Sequence, residues 1–206
     1  MRAIHEILAL GPVMPVIVID DSKQAVPLAE ALLEGGLQTI EITLRTPAAL
    51  ESIRAVATAC PGITVGAGTV TRPDLAAAAR EAGAAFAVSP GTTAAVIEGC
   101  RSAGLPLLPG ASSVSEIMML QEAGFDAVKF FPANPAGGTG FIKSLISPLP
   151  GISVCPTGGI TQVTAPDWLA LANVPCVGGS WVAPQTTIAA GDFDAITSRA
   201  QAAAAL

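Results

Sequence analysis

Short β-rich runs alternate with amphipathic stretches of about a dozen residues from one end of this chain to the other, and few architectures accept that rhythm. The strand-like runs cover residues 13–20, 39–45, 63–67, 86–89, 107–109, 127–131, 153–156 and 176–179. Helical patterns rich in Ala, Leu and Ile, with charges gathered on one side, follow over 22–34, 47–59, 72–82, 92–103 and 114–123. Repetition of this unit in 206 residues predicts an α/β fold, a single (β/α)8 TIM barrel spanning 1–206, with residues 1–10 as an extra N-terminal helix over its bottom. No linker or charge block divides the chain.

Glycines mark the two ends of that barrel differently. Gly35-Gly36, Gly83, Gly104 and Gly124 close helices just before strands, where a left-handed cap is needed. Gly68, Gly91, Gly110, Gly158-Gly159 and Gly178-Gly179 instead follow strand-like runs, on the face where barrel enzymes carry their working loops.

A net charge of -6 sets aside broad electrostatic attraction to nucleic acid or to an anionic membrane, so an anionic ligand needs a local site. No apolar run approaches the roughly 20 residues of a membrane-spanning helix. Cys60, Cys100, Cys155 and Cys176 include no CxxC pair, and His5 is the only imidazole, so neither a metal site nor a cofactor is expected. With no cleavable signal at the amino end, the cysteines read as reduced, mostly buried thiols of a cytoplasmic protein. His5 is expected exposed and without a partner, and Trp168 and Trp181 are expected to pack.

Against this background one lysine stands out. Lys129 sits inside Ala127-Val128-Lys129-Phe130-Phe131-Pro132, whereas Lys23 and Lys143 lie in polar or turn-like surroundings. Desolvation disfavours an ammonium and favours the free amine, the form that attacks carbonyl carbon. The segment therefore fits a Schiff-base lysine, or a strand-end lysine that snorkels to solvent.

In Thr39-Ile40-Glu41-Ile42-Thr43-Leu44-Arg45, strict alternation puts the aliphatic side chains on one face and Glu41, Thr43 and Arg45 on the other. The aliphatic face should meet the helices, leaving a carboxylate and a guanidinium inside the barrel near its top. They form either a structural ion pair or a general base with a fork for a substrate carboxylate. The same alternation gives Lys129 and Phe131 an inward face shared with Glu41.

Pro156-Thr157-Gly158-Gly159-Ile160 and Val177-Gly178-Gly179-Ser180-Trp181 follow the last two strands, where many barrels bind phosphate. Backbone N–H groups exposed by glycine, with the amino end of a following short helix, can hold phosphate without a lysine. Thr69 and Pro90 fit either a pocket wall or turn chemistry.

Six segments carry a family resemblance: Glu41-Ile42-Thr43-Leu44-Arg45-Thr46, Gly66-Ala67-Gly68-Thr69-Val70, Val88-Ser89-Pro90-Gly91, Lys129-Phe130-Phe131-Pro132-Ala133, Cys155-Pro156-Thr157-Gly158-Gly159-Ile160 and Gly178-Gly179-Ser180-Trp181. In this order they closely resemble the 2-keto-3-deoxy-6-phosphogluconate (KDPG) aldolase / 4-hydroxy-2-oxoglutarate aldolase family. The resemblance implies a trimeric barrel and a class I, metal-independent aldolase of the Entner-Doudoroff pathway, acting on 2-keto-3-deoxy acids. It further implies Lys129 as Schiff-base lysine and Glu41 as general acid/base. Arg45 and Thr69 would hold the pyruvyl carboxylate, with Pro90 and Phe131 beside the pyruvyl moiety. Gly158, Gly159, Gly179 and Ser180 would bind phosphate, and Thr157 would bear on stereochemistry. Asp20-Asp21 departs from the pattern, since several relatives carry basic residues there. A sugar-phosphate isomerase or epimerase, or a noncatalytic phosphosugar-binding barrel, are the competing readings of the same residues.

Overall fold

The computed structural model describes residues 3–206. Its strands are β1 (Val13–Ile17), β2 (Thr39–Thr43), β3 (Thr64–Gly68), β4 (Phe86–Val88), β5 (Leu107–Leu108), β6 (Gly110–Ala111), β7 (Ala127–Phe130), β8 (Ser153–Pro156) and β9 (Val177–Gly179). The helices are α1 (Ile4–Leu8), α2 (Ala25–Glu34), α3 (Ala49–Ala59), α4 (Pro73–Glu81), α5 (Ala94–Ser102), α6 (Val114–Glu122), α7 (Gly138–Leu145), α8 (Ala165–Leu169), α9 (Gln185–Ala189) and α10 (Phe193–Ala204).

All strand pairings are parallel, in the orders β5-β4-β3-β2-β1-β9 and β6-β7-β8. These two sheets form one barrel. A parallel bridge between Thr157 and Gly178 joins β8 to β9, and β5 and β6 are halves of one strand interrupted at Pro109. Proline has no N–H to give to a ladder, yet its carbonyl accepts from the Lys129 N–H at 2.8 Å, so the sheet keeps its course through the interruption.

Two separate apolar layers follow from strand alternation. Outward side chains such as Ile17, Ile40, Ile42, Val65, Val128 and Phe130 pack under the helices. Inward ones, Met14, Phe86, Val88, Leu108, Ala127, Cys155 and Cys176, fill the barrel floor together with Ile7 and Leu8 of α1. The expected N-terminal helix thus plugs the bottom, although residues 1 and 2 lie outside the described residues. Complete burial of a ring such as Phe86 stabilises the floor by about 2–3 kcal/mol.

Element ends differ from the sequence expectation. The run expected to reach residue 20 stops at Ile17, and the run expected to reach residue 45 stops at Thr43, where hydroxyl bonds take over from the ladder. Thr43 Oγ1 donates to the Ile17 carbonyl at 2.7 Å, and Thr46 Oγ1 to that of Ile19. The helix expected from residue 22 opens as a 3₁₀ turn, Ser22–Gln24, because the Asp21 carboxylate accepts from the Lys23 N–H at 3.0 Å. His5 is exposed as expected but has a partner, its Nε2 lying 2.7 Å from Oδ1 of Asp126. All four cysteines are free and buried, and burial pushes the Cys100 thiol up to about 11. Among the described residues, no helix is long and apolar enough to cross a membrane.

Candidate active site

Glu41 on β2 and Lys129 on β7 project inward from opposite sides of the barrel. Lys129 Nζ lies 3.1 Å from Glu41 Oε1 and 3.4 Å from Oε2, and the two side chains are only 5% and 2% exposed. Snorkelling is therefore ruled out. The ion pair also corrects the Glu41–Arg45 alternative, because β2 ends before Arg45 and leaves the guanidinium on the turn above, where it is exposed.

The strand carrying Lys129 is firmly seated. Gly110 and Cys155 are its register partners on either side, and the outward Phe130 ring stacks on Phe141 of α7 at 4.8 Å. Just above the ladder, the Phe131 ring centre lies 5.7 Å from Nζ. That distance is within range of a cation–π contact.

Arg45 Nε donates to Thr69 Oγ1 at 3.1 Å. Thr69 has φ 61, a left-handed backbone that it alone adopts among the described non-glycine residues. Such strain in a β-branched residue costs about 1–3 kcal/mol and is retained where a side chain must be aimed. Pro90 follows Ser89, whose Oγ accepts from the Gly110 N–H at 3.1 Å and lies 2.9 Å from Thr92 Oγ1. These bonds tie the Pro90 turn to the strand beside Lys129.

A cavity of about 150 Å³ opens at the carboxyl ends of the strands, lined in part by Arg45, Phe131, Thr157, Gly158, Gly159 and Ser180. Thr157 itself is buried, and Gly158 and Gly159 have φ 110 and 77. Their loop is turned by its carbonyls: Thr157 O accepts from the Ala133 N–H, Gly158 O from the Asn134 N–H, and Gly159 O from Asn134 Nδ2. Among the described residues, the N–H groups of Gly159 and Ile160 donate to no protein acceptor, which suits an anion.

The helix amino end expected to join this loop pair is absent from it. Residues 158–164 and 180–184 are not helical, so loop amides stand in for it. Gly179 is packed under the Trp181 ring, leaving Ser180 as the lining residue of that second loop. Asp20 and Asp21 stay outside this cavity and line a neighbouring one, where Asp20 accepts from Gln185 Nε2 at 2.6 Å. Ile160 and Gly178 of the two glycine loops also line the site, together with Val16 and Val18, neither of which was expected there. The inward alternation of β1, continued past its end, is the signal that marks Val16 and Val18.

A barrel that buries one lysine against one carboxylate, beneath a mouth offering a guanidinium and free loop amides, defines a lysine-dependent aldolase. The comparisons agree. Residues 4–199 match the family model described as "Aldolase: KDPG and KHG aldolase", and the chain belongs to that family. It is 48% identical to a 2-dehydro-3-deoxy-phosphogluconate aldolase of Pseudoalteromonas atlantica, over 98% of this chain and 94% of that one. With the KHG/KDPG aldolase of Escherichia coli K12 the identity is 45%, over 97% and 93%. Among solved structures, a KDPG aldolase from Legionella pneumophila holding pyruvate as a covalent carbinolamine superposes with a TM-score of 0.93 at 41% identity, covering 96% of both chains. These findings set the isomerase, epimerase and noncatalytic readings aside.

Proposed function

We propose that this chain cleaves 2-keto-3-deoxy-6-phosphogluconate to pyruvate and glyceraldehyde 3-phosphate, and 4-hydroxy-2-oxoglutarate to pyruvate and glyoxylate, through an iminium at Lys129. The observation that carries the chemistry is the buried 3.1 Å contact between Lys129 Nζ and Glu41 Oε1. A proton passing from Nζ to the carboxylate frees the amine lone pair, which adds to the C2 ketone; Glu41 then returns that proton to the carbinolamine hydroxyl, which leaves as water and gives the iminium with Glu41 again a carboxylate. Glu41 then removes the C4 hydroxyl proton. The C3–C4 electron pair moves into the C2–C3 bond, the iminium becomes an enamine, and the aldehyde departs. Reprotonation at C3 by Glu41 and hydrolysis release pyruvate and restore the lysine.

Arg45 and Thr69 hold the carboxylate in this scheme, while Pro90 and Phe131 flank the pyruvyl carbons. Thr157 faces the C4 hydroxyl, and the Gly158-Gly159 and Gly179-Ser180 loops take the phosphate, with the amide of Gly159 and the Ser180 residue at the mouth. The names of the relatives support both substrates. The family resemblance supports a cytoplasmic homotrimer, and the exposed Val114, Met118 and Met119 of α6 supply apolar surface for association.

Borohydride added with pyruvate should reduce an adduct onto Lys129, located by peptide mass. Full turnover by folded Lys129→Ala protein would end the proposal. Kinetics on both acids side by side measure the worth of the phosphate end, and equal efficiency would argue against the loop assignment. Sedimentation at a single chain mass would refute the trimer.

A further inference from the structure

We infer that Gly68 is a positioning residue of the reaction: the missing Cβ on β3 is the space in which the Glu41 carboxylate lies while it reaches Lys129. The inference rests on the general acid/base reading of Glu41. In register, Glu41 pairs with Gly66 and Thr43 with Gly68, so the Glu41 side chain leans across the neighbouring strand toward its carboxyl end. A Cβ built on Gly68 would lie 2.7 Å from Cγ and 2.8 Å from Cδ of Glu41, and closer still to Oε1. These are its three nearest atoms, and all belong to the one side chain.

Backbone freedom does not explain the glycine. Gly68 is absent from the residues with positive φ, so alanine fits its backbone and only the added methyl is in question. Nor does the packing of the floor explain it. The neighbouring Gly66 makes room for the Phe86 ring, whereas the three atoms nearest a Cβ on Gly68 are all of the Glu41 side chain. The clash at Cγ matters because Cγ is not the loose end of a mobile chain: Glu41 is buried and held at its tip by Lys129. Any relief moves the carboxyl group away from Nζ.

A displacement of about 1 Å is enough to cost on the order of 10²-fold in rate. Gly68→Ala should therefore lower kcat by about that factor with little change in KM, a split that general loosening of the pocket would not produce. Solvent deuterium exchange at the pyruvate methyl, followed by NMR, isolates the proton transfer assigned to Glu41. It should slow in Gly68→Ala as much as kcat does, while borohydride still traps pyruvate on Lys129 to completion.

Glu41→Gln separates the two layers of the argument. If Glu41→Gln exchanges at the wild-type rate, the acid/base reading itself is lost. If Glu41→Gln fails to exchange but Gly68→Ala exchanges normally, the positioning role of Gly68 is overturned and the reading survives. Should Gly68→Ala fail to fold, the Glu41→Ala/Gly68→Ala double variant decides. Folding as well as Glu41→Ala supports the assigned clash, and failing alike overturns it.

Discussion

Glu41 and Lys129 stand on strands that face each other across the barrel, yet Oε1 and Nζ are 3.1 Å apart and closed to solvent. The pair is a liability as well as the proposed catalytic device. Each charge is tolerated because the other is present, and removal of one partner from such a pair costs about 3–5 kcal/mol. Lys129→Met should therefore lower the urea midpoint markedly, and Lys129→Met/Glu41→Gln should recover most of the loss. Additive losses would show that the two groups are not energetically coupled.

The contact between Arg45 Nε and Thr69 Oγ1 makes a different forecast. Thr69→Gly removes left-handed strain and a side-chain bond together, so thermal stability should hold or rise. Meanwhile KM for the keto acid should increase, by about tenfold for one lost charge-assisted contact of 1.4 kcal/mol. Arg45→Lys should also raise KM, because an ammonium lacks the planar fork. Isothermal titration with pyruvate alongside melting curves tests both. A Thr69→Gly protein that binds normally would make the strain a feature of the turn alone.

Much of this architecture was legible before any coordinates, for reasons that can be named. Alternation along residues 39–45 and 127–131 placed Glu41 and Lys129 on inward faces, since period two is a local property of extended chain. What pairs with what is not local. Strand stagger sets Glu41 beside Gly66 and Gly68, and barrel closure sets it opposite Lys129, so the displacement of Arg45 from an interior ion pair could not be read from spacing. The continuation past Pro109 was hidden for a related reason: the run read from sequence ends at that proline with Gly110 beyond it, and only pairing with β7 shows the strand resuming as β6. The glycine loops were visible as composition, whereas their conformation came from carbonyl bonds to Ala133 and Asn134, remote in sequence.

Those loops are where the two proposed substrates should be told apart. Gly159 has φ 77, and a Cβ there would lie 2.7 Å from Asn134 Nδ2, so alanine is both strained and crowded. Gly159→Ala should disturb the amides proposed to hold phosphate while leaving the Lys129 end intact. Its KM for the phosphorylated acid should rise at least about tenfold more than its KM for 4-hydroxy-2-oxoglutarate, the loss of one charge-assisted bond. Parallel changes for the two acids would remove the loop from phosphate recognition.

Outside the site, the start of α6 gives a prediction with a defined sign in pH. Ser113 Oγ accepts from the Glu116 N–H, and the Glu116 carboxylate accepts from the N–H groups of Ser112 and Ser113 at 2.7 and 3.0 Å. The bond from the Ser112 backbone is the main cause holding the Glu116 carboxyl below its ordinary value. A folded-state value below the unfolded one makes the stabilisation complete above the unfolded value, and it disappears as pH falls through the folded one. Glu116→Ala should cost about 1 kcal/mol at neutral pH, as loss of a capping group does. Urea unfolding of both proteins between neutral pH and about pH 3, below the ordinary carboxylate range, should show that gap closing. A gap that stays constant through the acid range would mean that the ionised cap contributes nothing to α6.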